Sequence, residues 1–223
     1  MRTTVLLILL GAVFVNFSVA GTSVSAAVPA SAQANMESTK EGKLDLAVKN
    51  NNIVISLPEK SFNALKKWNK DFTVFNQSDY SPSIQGLFED EKNNKSYPMT
   101  FIADVNGDNK EDIVLFGEDK KKQYVVALVQ DKNEWTVVVV KELEEKNLKK
   151  TEIPSLEEKK KTKAELGIPY YVAKAQGDIG EALQKSSHST AIQFEHYLGQ
   201  AEVYEIKNNK AVLYKGQPEK TEK

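Results

Sequence analysis

The chain of 223 residues contains no cysteine. That absence excludes disulfides, thiolate metal sites, a cysteine nucleophile and a lipid-modified cysteine anchor, whatever the compartment. Histidine is scarce too, with His188 and His196 alone. Eight residues apart, they match no common zinc spacing, and a third ligand would be a distant carboxylate such as Glu181 or Glu195. Ser186, Ser187 and Ser189 flank His188, but such close neighbours in sequence do not form a catalytic triad. A glycine-rich phosphate loop, a His-Glu-x-x-His helix and a Gly-x-Ser-x-Gly elbow are all missing. The expectation is a protein that is not an enzyme, with no catalytic residue to name. An excess of one charge is lacking as well. With 30 basic and 31 acidic residues the net charge is −1, which argues against a nucleic-acid partner.

Long apolar runs are limited to one, Val5 to Val15, behind the single positive charge of Arg2. It is shorter than the roughly 20 apolar residues a membrane-spanning helix needs, and it suits the hydrophobic region of a secretory signal. Small residues at Ser18-Val19-Ala20 place the cut after Ala20. The expected organisation is a signal peptide over 1–20, a disordered leader over 21–43, one domain over 44–216 and a frayed tail over 217–223. The mature chain is then periplasmic or secreted, with no stable membrane span. Lys141 to Lys163 interleaves lysine with glutamate, the pattern of a solvated helix or loop rather than a partner-binding strip.

Within the domain, Leu44 to Leu57 reads as a short strand. Ser56-Leu57-Pro58-Glu59 has the spacing of a capping box, and Phe62, Leu65 and Trp68 share one face of a helix over about 58–70. A second short helix is predicted from Ser81-Pro82, since proline is tolerated in a first helical turn. Phe72, Phe75, Tyr80 and Phe88 read as core rather than as a ligand pocket. Met99 to Ala103, Ile113 to Phe116, Gln123 to Gln130 and Glu134 to Val140 then read as a meander of four strands. Val137 to Val140, four valines in a row, predicts a central strand covered on both faces. Residues 167–172 read as a strand, Ile179 to Gln184 as a helix, and Gln193 to Tyr197, Ala201 to Lys207 and Lys210 to Tyr214 as strands. Asn208-Asn209 suits a two-residue hairpin turn.

The segment that carries chemistry is Asp104-Val-Asn-Gly-Asp-Asn-Lys-Glu-Asp112. Oxygen side chains stand at its first, third, fifth and ninth positions: Asp104, Asn106, Asp108 and Asp112. Calcium takes six to eight oxygen ligands, and short carboxylates at alternate positions of a tight bend converge on one point. Lys110 would add its backbone carbonyl, with its side chain in solvent. Gly107 relieves crowding in the bend, and Asn109 supplies a left-handed residue.

This is not an EF-hand, because Leu115 stands where a bidentate glutamate is needed. Residues 99–117 instead resemble the calcium loop of FG-GAP/VCBS-type repeats, found in integrin-like propellers. The resemblance implies a loop between two strands, with Asp104, Asn106, Asp108 and Asp112 as metal ligands. One copy cannot make a propeller of four or more blades, so adhesion is not implied. The expected fold is α+β, an antiparallel β-meander with a calcium-type loop flanked by short helices. The expected role is a non-catalytic calcium-binding domain of the bacterial cell envelope, structural or binding a protein or envelope polymer. The alternative is a secreted or periplasmic hydrolase with carboxylate acid and base and a structural calcium ion.

Overall fold

The computed structural model describes residues 34–40, 42–50, 52–90, 96–132, 134–144, 167–196 and 199–215. The expected signal peptide, most of the expected leader, the charged run beyond residue 144 and the expected tail lie outside them. The described residues form mostly antiparallel β-sheet with a few short helices. Three sheets share one hydrophobic core.

The first sheet has the order β1-β3-β2, with β1 at Ala34–Thr39, β2 at Asp45–Lys49 and β3 at Asn52–Pro58. β1 falls inside the stretch read from sequence as a disordered leader. It pairs in parallel with β3, and alternate residues Ala34 and Met36 pack against the core. Backbone pairing orders this strand although its own apolar pattern is weak. The single strand read over Leu44 to Leu57 is a hairpin instead, turning at Asn50 with φ 49°.

Helix α1 follows at Glu59–Trp68, and its amphipathic face buries Leu65 and half-buries Phe62 and Trp68. The predicted capping box is absent. Ser56 still belongs to β3, and its hydroxyl donates to Glu37 Oε1 at 3.0 Å; Pro58 occupies the cap position with no side-chain bond. The short strand β4 (Thr73–Val74) is followed by a 3-10 turn at Gln77–Asp79 and by helices α2 (Pro82–Gln85) and α3 (Leu87–Asp90). Ser81 and Pro82 begin α2 as the sequence predicts.

The central sheet runs β5 (Ser96–Tyr97), β6 (Thr100–Ala103), β7 (Asp112–Glu118), β8 (Lys122–Asp131), β9 (Glu134–Glu144), each antiparallel to the next. β4 also pairs with β7, beyond the end of β6, so one edge of β7 is shared by two strands. Gly117 makes this possible: a Cβ there would lie 2.1 Å from the Thr73 carbonyl oxygen. The four-valine run belongs to β9, the outer strand of the sheet, not to a central one. Its valines alternate, with Val138 and Val140 buried and Val139 39 % exposed. The strands covered on both faces are β7 and β8, whose residues Ile113 to Phe116 and Val125 to Val129 are wholly buried.

The last sheet has the order β10 (Tyr170–Lys174), β11 (Ile192–His196), β12 (Gln200–Lys207), β13 (Lys210–Leu213), all antiparallel. Helix α4 (Gly177–Ser187) links β10 to β11. Asn208 and Asn209 turn the last hairpin with φ 52° and 58°.

Register fixes the layers. Phe116 pairs with Val125, and Tyr124 is the next residue along β8, so Phe116 and Tyr124 lie on opposite faces of the central sheet. Tyr124 meets Trp68 of α1 at 5.3 Å, while Phe116 meets Phe194 of β11 at 5.6 Å. The central sheet is therefore sandwiched between α1 on one side and the four-stranded sheet on the other. Phe72, Phe75, Tyr80 and Phe88 are all core, linked edge to face by contacts such as Phe75–Phe116 at 4.9 Å.

Candidate cation loop

Residues 104–111 join β6 to β7 at one end of the sandwich. Val105, fully buried, anchors the bend in the core. Gly107 and Asn109 adopt left-handed conformations, φ 82° and 63°, and so close the curve. A side chain at 107 would meet the Ser187 carbonyl oxygen at 2.7 Å. The loop rests there on the corner between α4 and β11, where Thr190 N–H donates to the Asp104 carbonyl at 2.7 Å.

The polar side chains are held by the loop's own amides. Asp104 accepts from Gly107 N at 2.6 Å, from Asn109 N at 2.7 Å and from Asp108 N at 3.3 Å. Asn106 Oδ1 accepts from Asp108 N at 3.0 Å, and Asp108 Oδ1 from Lys110 N at 3.0 Å. These successive side-chain-to-amide bonds satisfy donors that a bend without regular structure leaves open. The Lys110 side chain is exposed to solvent, and its Nζ also reaches Asp108 Oδ2 at 3.5 Å, where an ammonium relieves the acidic surroundings.

Asp112 differs from its neighbours. It is fully buried at the start of β7, and its two oxygens accept from Val105 N at 3.0 Å and Gln130 N at 2.9 Å. Burial pushes its carboxyl up to about 7; the two amides oppose that rise, and the charges of Asp108 and Asp104 add to it. Gln130, in β8, also accepts from Asn106 Nδ2 at 3.4 Å, so it joins the loop to the sheet.

The donor chemistry fits a hard cation: oxygen atoms alone, three carboxylates, and lone pairs beyond those used by the amides. The positions of these groups fit it less well. Among the described residues, no three His, Cys, Asp or Glu side chains gather closely enough to hold an ion. Binding would have to draw Asp108 away from Lys110 and tighten the bend.

The histidines stand elsewhere. His188 ends α4 in a left-handed conformation with its side chain exposed. Ser186 and Ser187 hydroxyls donate to the Leu183 carbonyl at 3.1 and 2.8 Å, bonds that cap helix backbone rather than build a nucleophile. His196 lies edge-on to Tyr170 at 4.9 Å in the last sheet. Glu195, its neighbour along β11, points to the other face and accepts from Gln193 Nε2, while Glu181 pairs with Lys185 at 3.4 Å. Neither carboxylate is placed as a partner in a histidine metal site.

Two contributors to the loop were not legible in sequence, Gln130 and the corner Ser187 to Thr190. Both act through backbone atoms, which leave no residue-type signature. No family model, no curated protein and no solved structure matches the chain.

Proposed function

We propose that this protein is an exported, non-catalytic calcium-binding domain with a structural or binding role at the bacterial cell envelope. Asp104, Asn106, Asp108 and Asp112 hold the ion, with the Lys110 backbone carbonyl as a further ligand, in the manner of an FG-GAP/VCBS-like loop. Asp112 carries the reading. Fully buried and sharing a nine-residue bend with two more aspartates, it is pushed toward its neutral form, and a divalent cation would displace its proton and balance the carboxylates. Bound calcium supplies the opposing positive charge and rigidifies the connection between β6 and β7. Extracellular modules of this kind bind calcium with dissociation constants on the order of 10⁻⁴ to 10⁻³ M, which suits a permanent structural clip.

Thermal melting with excess calcium and then with chelator tests the site. Binding to the folded state alone adds about 2.7 kcal/mol at a hundredfold excess over the dissociation constant. Asp108→Ala should abolish most of that gain. An unchanged midpoint in the parent chain reduces the loop to a plain acidic turn. Export is tested by sequencing the amino terminus of protein recovered outside the cytoplasm; a start other than Gly21 moves the cleavage site, and full-length protein retained inside refutes export.

A further inference from the structure

Strand β2 closes one side of the first sheet. Among the described residues, β3 pairs with one of its edges and no strand pairs with the other; β6 passes near it without pairing. Asp45, Val48 and Lys49 are exposed. Val48, 42 % exposed, is the large apolar side chain that this sheet leaves in solvent.

The hairpin fixes which groups of β2 are still to be bonded. It closes at the Lys49–Asn52 pair, beside the left-handed Asn50. With two residues between them, that pair and every second pair beyond it bond β2 to β3, through the amides and carbonyls of Asp45, Ala47 and Lys49. Those of Leu46 and Val48 point the other way, out of the sheet. Side chains divide between the two faces: Leu46 and Val48 stand beside Ile55 and Ile53 on the core side, and Asp45, Ala47 and Lys49 on the opposite one.

We propose that β2 pairs with β2 of a second copy of this chain, antiparallel and centred on Ala47, so that two copies of the three-stranded sheet join across a two-fold axis. The inference goes beyond the binding role proposed above and does not rest on calcium. Self-complementarity of the strand carries it. In this register Leu46 faces Val48 of the second copy, outward amides meet outward carbonyls, and each such pair exchanges two hydrogen bonds. The same register sets Asp45 against Lys49 on both sides of the axis and covers the exposed Val48 with Leu46. Sliding one copy by two residues, the least that keeps the bonding, is worse in either direction. One slide sets Lys43 against Lys49, and the other leaves both Asp45 and Lys49 without a charged partner.

Neighbouring charges do not oppose the pairing. Asp45 is in no ion pair with another described residue. Lys49 reaches Glu37 at 3.2 Å, but that exposed contact contributes little, and an ammonium has donors for a second carboxylate. Lys40 follows β1, away from the free edge, and Lys43 falls opposite the second copy's uncharged Asn50 and Asn51. The outer strand β9 lacks this symmetry: turned about its middle residue, Val139, it sets Glu134 against Glu144. A five-residue edge is smaller than a standard interface, so the dissociation constant is expected on the order of 10⁻⁵ to 10⁻³ M.

Sedimentation equilibrium of the mature chain in chelator, from about 10 μM to about 1 mM, tests the pairing. A monomer–dimer equilibrium with no larger species is expected, because a two-fold interface closes on itself. Asp45→Lys or Lys49→Asp alone sets like charges together on both sides of the axis and should weaken the dimer about tenfold or more. The double variant Asp45→Lys/Lys49→Asp restores opposite charges and should return to within about threefold of the parent. Mixing the two single variants should give a heterodimer tighter than either variant forms alone, a rescue that loss of fold could not produce. Val48→Pro removes an outward amide without touching the bonds to β3 and should also abolish the dimer, with the far-UV circular dichroism of the dilute chain unchanged. A chain that stays monomeric at about 1 mM overturns the proposal. So do open-ended oligomers, or a dimer whose affinity the charge variants leave unchanged.

Discussion

Strand β7 begins and ends beside an aspartate that organises a bend, and the two aspartates respond to folding in opposite directions. Asp112 opens the strand and accepts two amide hydrogen bonds; Asp119 follows it and accepts from two amides, Asn69 and Tyr124. Their chemistry is alike, but their surroundings are not. Asp112 is buried beside two other carboxylates, and its carboxyl is pushed up to about 7. Burial would raise Asp119 also, but there the four donors prevail and hold it below the usual carboxylate range. The number of hydrogen bonds does not by itself set the cost of a charge. Solvent access and neighbouring charge decide whether a bend of this kind is self-sufficient or calls for a counter-ion.

Truncation separates the two ends most sharply. Asp112→Ala leaves the Val105 and Gln130 amides without their acceptors, and each buried donor left unpaired costs about 1–3 kcal/mol, so a loss of about 2–4 kcal/mol is expected in urea unfolding. At the other end the freed amides of Lys121 and Lys122 turn to water, and Asp119→Ala should cost about 1 kcal/mol. Equal losses at the two sites would erase the distinction.

The pH dependence differs in sign. Asp112 is protonated in both states below its unfolded value of about 3.9. As pH rises from there to about 7, the unfolded chain releases the proton and the folded one retains it. Stability without calcium should therefore decline across that window and level off above it. Asp119 works in reverse, since its lowered carboxyl contributes stability above about 3.9 that is lost as pH falls through the folded value. Urea midpoints across pH, with Asp112→Asn for comparison, separate the two; a variant that keeps the decline places its origin elsewhere. The smallest effect is expected from Asn69→Ala, which removes one of the four donors to Asp119 and should cost about 0.5 kcal/mol.

Much of the fold was legible in local pattern. Apolar spacing located α1, Pro82 located the start of α2, and Asn208-Asn209 located the last hairpin, because each signal is complete within a few residues. The meander from β6 to β9 followed from consecutive apolar runs. What was not legible depended on partners distant in sequence. Ser56 and Glu59 have capping-box spacing, yet β3 extends to Pro58 because β1 and β2 pair with it on both sides. Four consecutive valines signal a strand without saying where in the sheet it lies. In the loop, the oxygen side chains could be read directly, whereas the amides of Gln130 and Thr190 that brace it could not.

Beyond its two aspartates, β7 is also where distant parts of the chain are made to depend on one another. Its first half is zipped to β6 and its second half to β4, two segments separated by the whole stretch from Phe75 to Met99. Neither contact completes the edge alone, so the strand reaches its final hydrogen bonding only after a closure spanning more than forty residues, from Thr73 to Glu118. Such non-local pairing slows folding and ties the amino-terminal sheet and helix to the central sheet in a single cooperative transition.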